Sequence, residues 1–155
     1  MKIQIRAATP GDCETIAGFN AAMAVETEQK TLDPAVLKRG VQRLLEDSGR
    51  GRYYLAEFDG RVVGQIMYTQ EWSDWRDGWF WWIQSVFVDK AYRGQSVFSE
   101  LYEYLKALAQ VDKDVCGIRL YVDRDNHAAQ NVYQTLGMTM GAYRVMEVLI
   151  QREVM

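Results

Sequence analysis

Two segments of this chain carry residue types at spacings that can do chemistry. In the stretch from Asn126 to Met138, NHAAQNVYQTLGM, the residues Asn126, Ala129, Tyr133 and Gly137 recur at offsets of zero, three, seven and eleven. Ala129 and Tyr133 are four apart and share one face of a helix, and Gly137 is placed to end it. A phenol on such a face can protonate a leaving thiolate as a general acid. The same spacing also fits a tyrosine that packs its ring and tethers its hydroxyl. Upstream, YRGQSVFSELY (Tyr92 to Tyr102) runs from an apolar segment into a helix. The first-turn N–H groups of that helix have no internal acceptor and carry the positive end of its dipole. A tight run of amides there suits a diphosphate, and Arg93 adds charge. Any strand-to-helix connection exposes amides, so the loop alone does not decide.

The elements that must position these residues can be read in order. Ile3 to Ala7 reads as a strand, and Thr9-Pro10-Gly11-Asp12 combines a cap, a first-turn proline and an acid. The helix behind it runs to about Val25. A second starts at Asp33-Pro34 and ends near Ser48-Gly49. Tyr53 to Phe58, the Asp59-Gly60 turn and Arg61 to Thr69 give a hairpin. A polar loop, Ser73 to Gly78, precedes Trp79 to Val88, which is apolar at both parities as a central strand covered on both faces should be. A helix over Val97 to Gln110, a strand over Ile118 to Val122, a helix over Ala128 to Leu136 and a last strand over Tyr143 to Ile150 complete the chain. The order is β-α-α-β-β-β-α-β-α-β, an α/β fold with a mixed central sheet flanked by helices. No repeat or long linker interrupts it, so residues 1–155 are expected to form a single domain.

Composition removes several function classes. The 155 residues are 48% hydrophobic and 25% charged, with a net charge of −3, which gives nucleic-acid binding no electrostatic footprint. The opening MKIQIRAATP lacks the apolar run of a signal peptide, and no stretch matches a membrane span, so a cytoplasmic protein is expected. Cys13 and Cys116 are expected to be two buried thiols rather than a disulfide. With His127 the only histidine and no CxxC pair, neither a metal site nor a Ser-His-Asp triad is expected.

Taken together, the two chemistry-bearing segments resemble the GNAT superfamily of acyl-CoA-dependent N-acetyltransferases. The likeness is good from Trp82 to Met138, and the element order extends it over the chain. The family pattern N-x-x-A-x-x-x-Y-x-x-x-G is matched in full by Asn126, Ala129, Tyr133 and Gly137. Its loop pattern Q/R-x-x-G-x-G/A meets Arg93, Ser96 and Phe98 in the three fixed places. The resemblance implies acetyl-CoA as cosubstrate, with its pyrophosphate on the amides of Arg93, Gly94, Gln95, Ser96, Val97 and Phe98. It implies that the strand edge at Val86, Phe87 and Val88 pairs with the pantetheine arm. It also implies that Asn126, Ala129 and Tyr133 line the coenzyme and that Tyr133 protonates the thiolate.

Two glycine positions are substituted. Ser96 supplies the same N–H as glycine if its backbone is ordinary, and its hydroxyl can cap the helix or reach a phosphate. Phe98, Leu101, Leu105, Leu108 and Ala109 fall on one apolar face, which should turn Phe98 inward. An amine acceptor has a pKa near ~10, so only about one molecule in a thousand is nucleophilic at neutral pH. Some GNAT enzymes place a Glu on the central strand to take the proton. The matching residue here is Gln84, which cannot act as a base but can orient a water or bind substrate. Glu26, between the first two helices, and Trp72 and Asp74, before the central strand, are the candidates for holding a cationic amine by charge and cation–π contact. Solvated acids and core tryptophans are the plain alternative. The expected activity is acetyl transfer to a small cationic primary amine by direct attack in a ternary complex. A protein or peptide amine, or a non-catalytic acyl-CoA-binding domain, is the alternative. The family admits a homodimer, and no segment of the sequence identifies its interface.

Overall fold

The computed structural model describes residues 1–151 and divides into two compact units, Met1–Tyr121 and the segment from Val122 onward. The first unit contains β1 (Gln4–Ala7), α1 (Cys13–Glu28), α2 (Pro34–Glu46), β2 (Arg52–Phe58), β3 (Arg61–Ser73), β4 (Gly78–Val88), α3 (Val97–Val111) and β5 (Val115–Leu120). Its sheet runs β1-β2-β3-β4-β5; the first three pairings are antiparallel and β4 with β5 is parallel, joined by the crossover through α3.

The local chemistry explains where these elements start. The Asp33 carboxylate accepts from the Ala35 N–H (2.9 Å), with Pro34 at the first helical position of α2. The Asp12 carboxylate accepts from the Thr9 N–H at 2.7 Å ahead of α1. Asp59 (φ 53°) and Gly60 (φ 74°) make the tight turn between β2 and β3 with both residues in the left-handed region. Burial then fixes the layers. Ile16, Val41, Tyr53, Leu55 and Met67 form the core under α1 and α2. On the other face Val97, Leu101 and Leu105 of α3 are fully or almost fully buried, and Tyr104 meets Tyr54 at 5.4 Å.

Several expectations need correction. β3 extends to Ser73, so Glu71 and Trp72 are strand residues and the connecting turn is short. β5 runs from Val115 to Leu120 rather than from Ile118 to Val122, following its pairing with β4 from Trp79↔Val115 to Ile83↔Leu120; within it Gly117 lies against the Phe80 ring, where a β-carbon would fall 2.6 Å from a ring carbon. Cys13 is buried as expected, but Cys116 is exposed, and both are free thiols.

The second unit contains α4 (His127–Thr135). The larger correction concerns Tyr143 to Ile150, which forms no strand among the described residues. Its alternation is that of a strand, but β-propensity is realised only against a partner and a packed face. Here Tyr143, Met146 and Val148 are 89, 96 and 83% exposed. No helix among the described residues is long and apolar enough to cross a membrane.

Candidate active site

β4 is paired on both sides only along its first half. Its register with β5 runs from Trp79↔Val115 to Ile83↔Leu120 and stops. With β3 it continues to Val88, which faces Gly64. From Gln84 to Val88 the edge of β4 turned away from β3 therefore has no strand beside it within this unit. The same stretch is bulged. Gln65 faces Phe87 and Met67 faces Gln84, so Ile66 alone opposes Ser85 and Val86. Ser85 takes φ 51°, a left-handed conformation that a non-glycine residue adopts only when its surroundings impose it.

Those surroundings are a buried polar network that the sequence reading missed. Gln65 Nε2 donates to the Ser85 carbonyl oxygen at 3.0 Å and to Asn20 Oδ1 at 2.8 Å. Asn20 Nδ2 in turn donates to the Tyr53 hydroxyl at 2.9 Å. Gln65 is wholly buried and Asn20 nearly so. Burial pushes the Tyr53 hydroxyl above its ordinary pKa, against the opposing pull of hydrogen bonds to Ser85 and Asn20. The network holds α1, β2, β3 and the β4 bulge in one arrangement. A glutamine inside the apolar run of β3 and an asparagine on an apolar face of α1 were the visible signals.

After β4 the chain makes a 3-10 turn at Lys90–Tyr92, capped by Asp89, and enters α3 through Gly94 (φ 77°) and Ser96 (φ 67°, ψ 16°). Ser96 thus occupies the left-handed conformation that glycine would take at no cost, so its backbone is not ordinary. Its side chain makes no cap hydrogen bond. The first hydrogen bond of α3 runs from the Glu100 N–H to the Ser96 carbonyl (3.0 Å), which leaves Val97 and Ser99 N–H without acceptors inside the helix. Phe98 is half-buried at the margin of the apolar face, its ring tilted against Tyr102 at 6.2 Å. Val97, 2% exposed, is the residue that turns fully inward. Gly64 makes room for it: a β-carbon there would sit 3.0 Å from Val97 Cγ1.

Arg93 does not stand free over this turn. Its Nε donates to the Val88 carbonyl at 2.9 Å, its Nη2 to Glu26 Oε2 at 2.8 Å, and its guanidinium lies over the Phe87 ring. The structure therefore brings Glu26 to the loop that the sequence reading assigned to the coenzyme. Gln84 donates to Thr69 Oγ1 at 2.7 Å, so its amide nitrogen is used within the sheet. Trp72 and Asp74 are not brought to Glu26. Trp72 pairs with Trp79 and Gly64 with Val88, and the eight residue steps from Gly64 to Trp72 on β3 span ~27 Å at strand rise. Trp72 packs edge-on against Trp79, and Asp74 sits in the exposed turn beyond. An open cavity of about 570 Å³, lined by Arg52, Tyr54, Tyr68, Trp81 and Asp112 among others, lies apart from these residues; none from Gln84 to Ser96 lines it.

In the second unit, Asn126 Oδ1 accepts from the Ala129 N–H (3.1 Å) and so caps α4. Gly137 (φ 96°) ends it, with the Met138 N–H on the Tyr133 carbonyl at 3.0 Å. Two of the four motif residues are therefore helix punctuation, which sets the phase that presents Tyr133. The Tyr133 phenol is partly buried, and desolvation raises its pKa above the ordinary 10.

The chain matches the model of the acetyltransferase (GNAT) family over residues 21–138. It is 45% identical to a possible acetyltransferase from Clostridium difficile 630, whose crystal structure superposes with a TM-score of 0.92 over 98% of this chain and 100% of that one. A predicted acetyltransferase with acetyl-CoA from Clostridium acetobutylicum, 13% identical, shares the fold at a TM-score of 0.77, covering 95% of this chain and 96% of the other. The streptothricin acetyltransferase of Escherichia coli is 32% identical over 88 residues, 57% of this chain. The present chain spans about half the length of that curated relative (47%). With three quarters of its residues under the family model and the parted β4–β5 pair leading into the turn at α3, this chain belongs to the GNAT family of acetyltransferases.

Proposed function

We propose that this protein is an N-acetyltransferase that moves the acetyl group of acetyl-CoA to a primary amine, with a small cationic molecule as acceptor. The observation that carries the reading is the open edge of β4 from Gln84 to Val88, which leads directly to the Gly94–Ser96 turn and the N-terminus of α3. An extended amide-bearing arm fits the edge at Val86, Phe87 and Val88, and a diphosphate fits the amides that follow.

The chemistry is a direct transfer. The amine nitrogen attacks the thioester carbonyl, the tetrahedral intermediate collapses with loss of the C–S bond, and the thiolate takes a proton. Tyr133 is the proposed donor of that proton: a phenol is protonated at pH 7, and burial raises its pKa further from that pH. The amine's own proton must leave by another route. Gln84 cannot take it; one N–H of its amide is committed to Thr69, and the role proposed for its carbonyl oxygen is to accept from the amine or from a water that carries the proton outward. Glu26 is the proposed anchor for the cationic acceptor. Arg93 bonds one of its oxygens and leaves the other available for a cation. Trp72 and Asp74, at the far end of β3, are not part of this pocket.

Calorimetry with acetyl-CoA followed by thiol release against a panel of small amines and peptides tests the proposal. Micromolar binding and turnover with small cationic amines are expected. No binding at millimolar acetyl-CoA would remove the reaction altogether. Binding without thiol release would leave an acyl-CoA-binding domain, and release with peptides alone would move the acceptor to a protein.

A further inference from the structure

The cavity at the C-terminal end of α3 is lined by residues of the first unit alone. Its volume is about 570 Å³, and neither Glu26 nor any residue from Gln84 to Ser96 lines it. A space of that size suits a small molecule. One wall is an aromatic ladder standing on the sheet. Tyr54 stacks on Tyr68 (ring centroids 6.4 Å apart, 14° between planes), and Tyr68 stacks on Trp81 (4.0 Å, 11°). The pairings Arg52↔Tyr68 and Gln70↔Trp81 put these side chains on one face of β2, β3 and β4. Leu108 and Val111 of α3 add apolar lining.

This wall carries donors that the chain does not use. Tyr68 is 6% exposed, yet its hydroxyl has no hydrogen-bond partner among the described residues. Trp81 is 4% exposed, and its Nε1 is likewise buried without an acceptor. Buried polar groups are almost always paired, so two orphans on stacked rings call for an acceptor from outside the chain. Desolvation pushes the Tyr68 hydroxyl up to about 12, so at pH 7 it is a neutral donor.

Two charges share the cavity with that hydroxyl. Arg52 and Asp112 both line it and both act on Tyr68, Arg52 lowering its pKa and Asp112 raising it. Neither forms an ion pair among the described residues. Asp112 spends one oxygen on the Asp114 N–H at 2.9 Å and sits at the negative end of the α3 dipole, which favours a cation. Arg52 presents a guanidinium fork, which favours a carboxylate. Unpaired charges of both signs beside an aromatic wall are complementary to a molecule with two charged ends and an apolar body.

We propose that this cavity is a second ligand site, separate from acetyl transfer, which holds a small zwitterion in the class of a free aromatic amino acid. The ammonium meets Asp112 and the last carbonyls of α3. The carboxylate meets Arg52 and the Tyr68 hydroxyl, and the ring lies along Leu108 and Val111.

Calorimetry of the full chain with L-phenylalanine, with and without saturating acetyl-CoA, tests this. One site with a Kd below about 1 mM is expected, unchanged by the coenzyme. Phenethylamine lacks the carboxylate and hydrocinnamate lacks the ammonium; each should bind at least about 10-fold more weakly. Arg52→Gln and Asp112→Asn should each cost about the same factor while leaving acetyl-CoA affinity and Tm as in the wild type. Tyr68→Phe should weaken L-phenylalanine binding yet hold or raise Tm, because it deletes a hydroxyl that the fold leaves unpaired. A lower Tm in that variant would show the hydroxyl to be a structural group and would overturn the proposal. So would no binding at about 10 mM, or equal binding of the two singly charged analogues. Binding that is lost in Glu26→Gln and kept in Arg52→Gln would also overturn it, by placing the amino acid in the acceptor site.

Discussion

Arg93 Nη2 lies 2.8 Å from Glu26 Oε2, while the same guanidinium donates through Nε to the carbonyl of Val88. One side chain thus ties the end of α1 and the end of β4 to the turn that opens α3. Both partners are about 40% exposed, so the ion pair itself stabilises the fold by less than about 1 kcal/mol. Its effect should appear in binding. Arg93→Ala is expected to raise the Kd for acetyl-CoA roughly 10-fold with a small change in Tm. Glu26→Gln is expected to leave that Kd within about threefold and raise the KM of a cationic amine about 10-fold. Equal kinetics for wild type and Glu26→Gln would remove Glu26 from the acceptor site.

Ser96 sits at φ 67° without a side-chain hydrogen bond to compensate. Ser96→Gly should relieve the left-handed strain, partly offset by the greater freedom of glycine in the unfolded chain. A net gain of up to about 1 kcal/mol in unfolding experiments is expected, with coenzyme affinity preserved. Ser96→Val, branched at the β-carbon, should lose stability and weaken acetyl-CoA binding together. Wild-type melting and binding in the valine variant would show that the turn does not require its left-handed residue.

Tyr133→Phe removes one oxygen from a helix whose caps, Asn126 and Gly137, stay in place. Its expected signature is a kcat lower by about 10²–10⁴ with unchanged acetyl-CoA affinity. Because burial raises the phenol's pKa, the wild-type rate should show no loss from this group until the pH passes above 10. Rapid chemistry in the phenylalanine variant, measured by single-turnover thiol release, would assign the proton to water instead.

The contrast between what was and was not legible in the sequence has physical causes. Local signals carried the elements: the Asp33-Pro34 cap, the Asp59-Gly60 turn and the Asn126–Gly137 spacing each act within a few residues, and each appears where expected. The bulge at Ser85 did not announce itself, because it depends on Gln65 and Asn20, which are distant in the chain. Phe98 followed its helical period only approximately; the helix rotates so that Val97 fills the space left by Gly64, a choice made by β3 rather than by α3. Trp72 and Asp74 are candidates by residue type alone; the β3–β4 register sets Trp72 opposite Trp79, at the far end of the hairpin from Val88. The alternation at Tyr143–Ile150 is that of a strand, but pairing is not a local property, and these residues form no strand among those described.

The network under the bulge gives a stability prediction with a functional consequence. Tyr53→Phe leaves Asn20 Nδ2 buried without the hydroxyl that accepts from it at 2.9 Å, which should cost about 1–3 kcal/mol. Gln65→Leu removes the donor to the Ser85 carbonyl and should also relax the bulge, seen as faster amide exchange at Ser85–Phe87 and weaker acetyl-CoA binding. Unaltered exchange in Gln65→Leu would mean that backbone pairing alone maintains the bulge.

Acid stability isolates a different contact. Asp12 accepts from both Arg6 terminal nitrogens at 2.8 Å and from the Thr9 N–H, and these bonds lower its pKa from 3.8 to about 2, Arg6 contributing most. A carboxylate with a depressed folded-state pKa binds fewer protons in the folded than in the unfolded chain, so stability rises with pH across that interval. Its contribution is fully present above about pH 4 and disappears as the pH falls toward about 2. Discounted for a partner that is 39% exposed, it amounts to about 1–2 kcal/mol. Denaturant titrations of Asp12→Asn at pH 7 should show that loss, and wild type and variant should converge as the pH approaches 2. A gap that stays constant down to pH 2 would assign the effect to the hydrogen bonds of the turn rather than to the charge of Asp12.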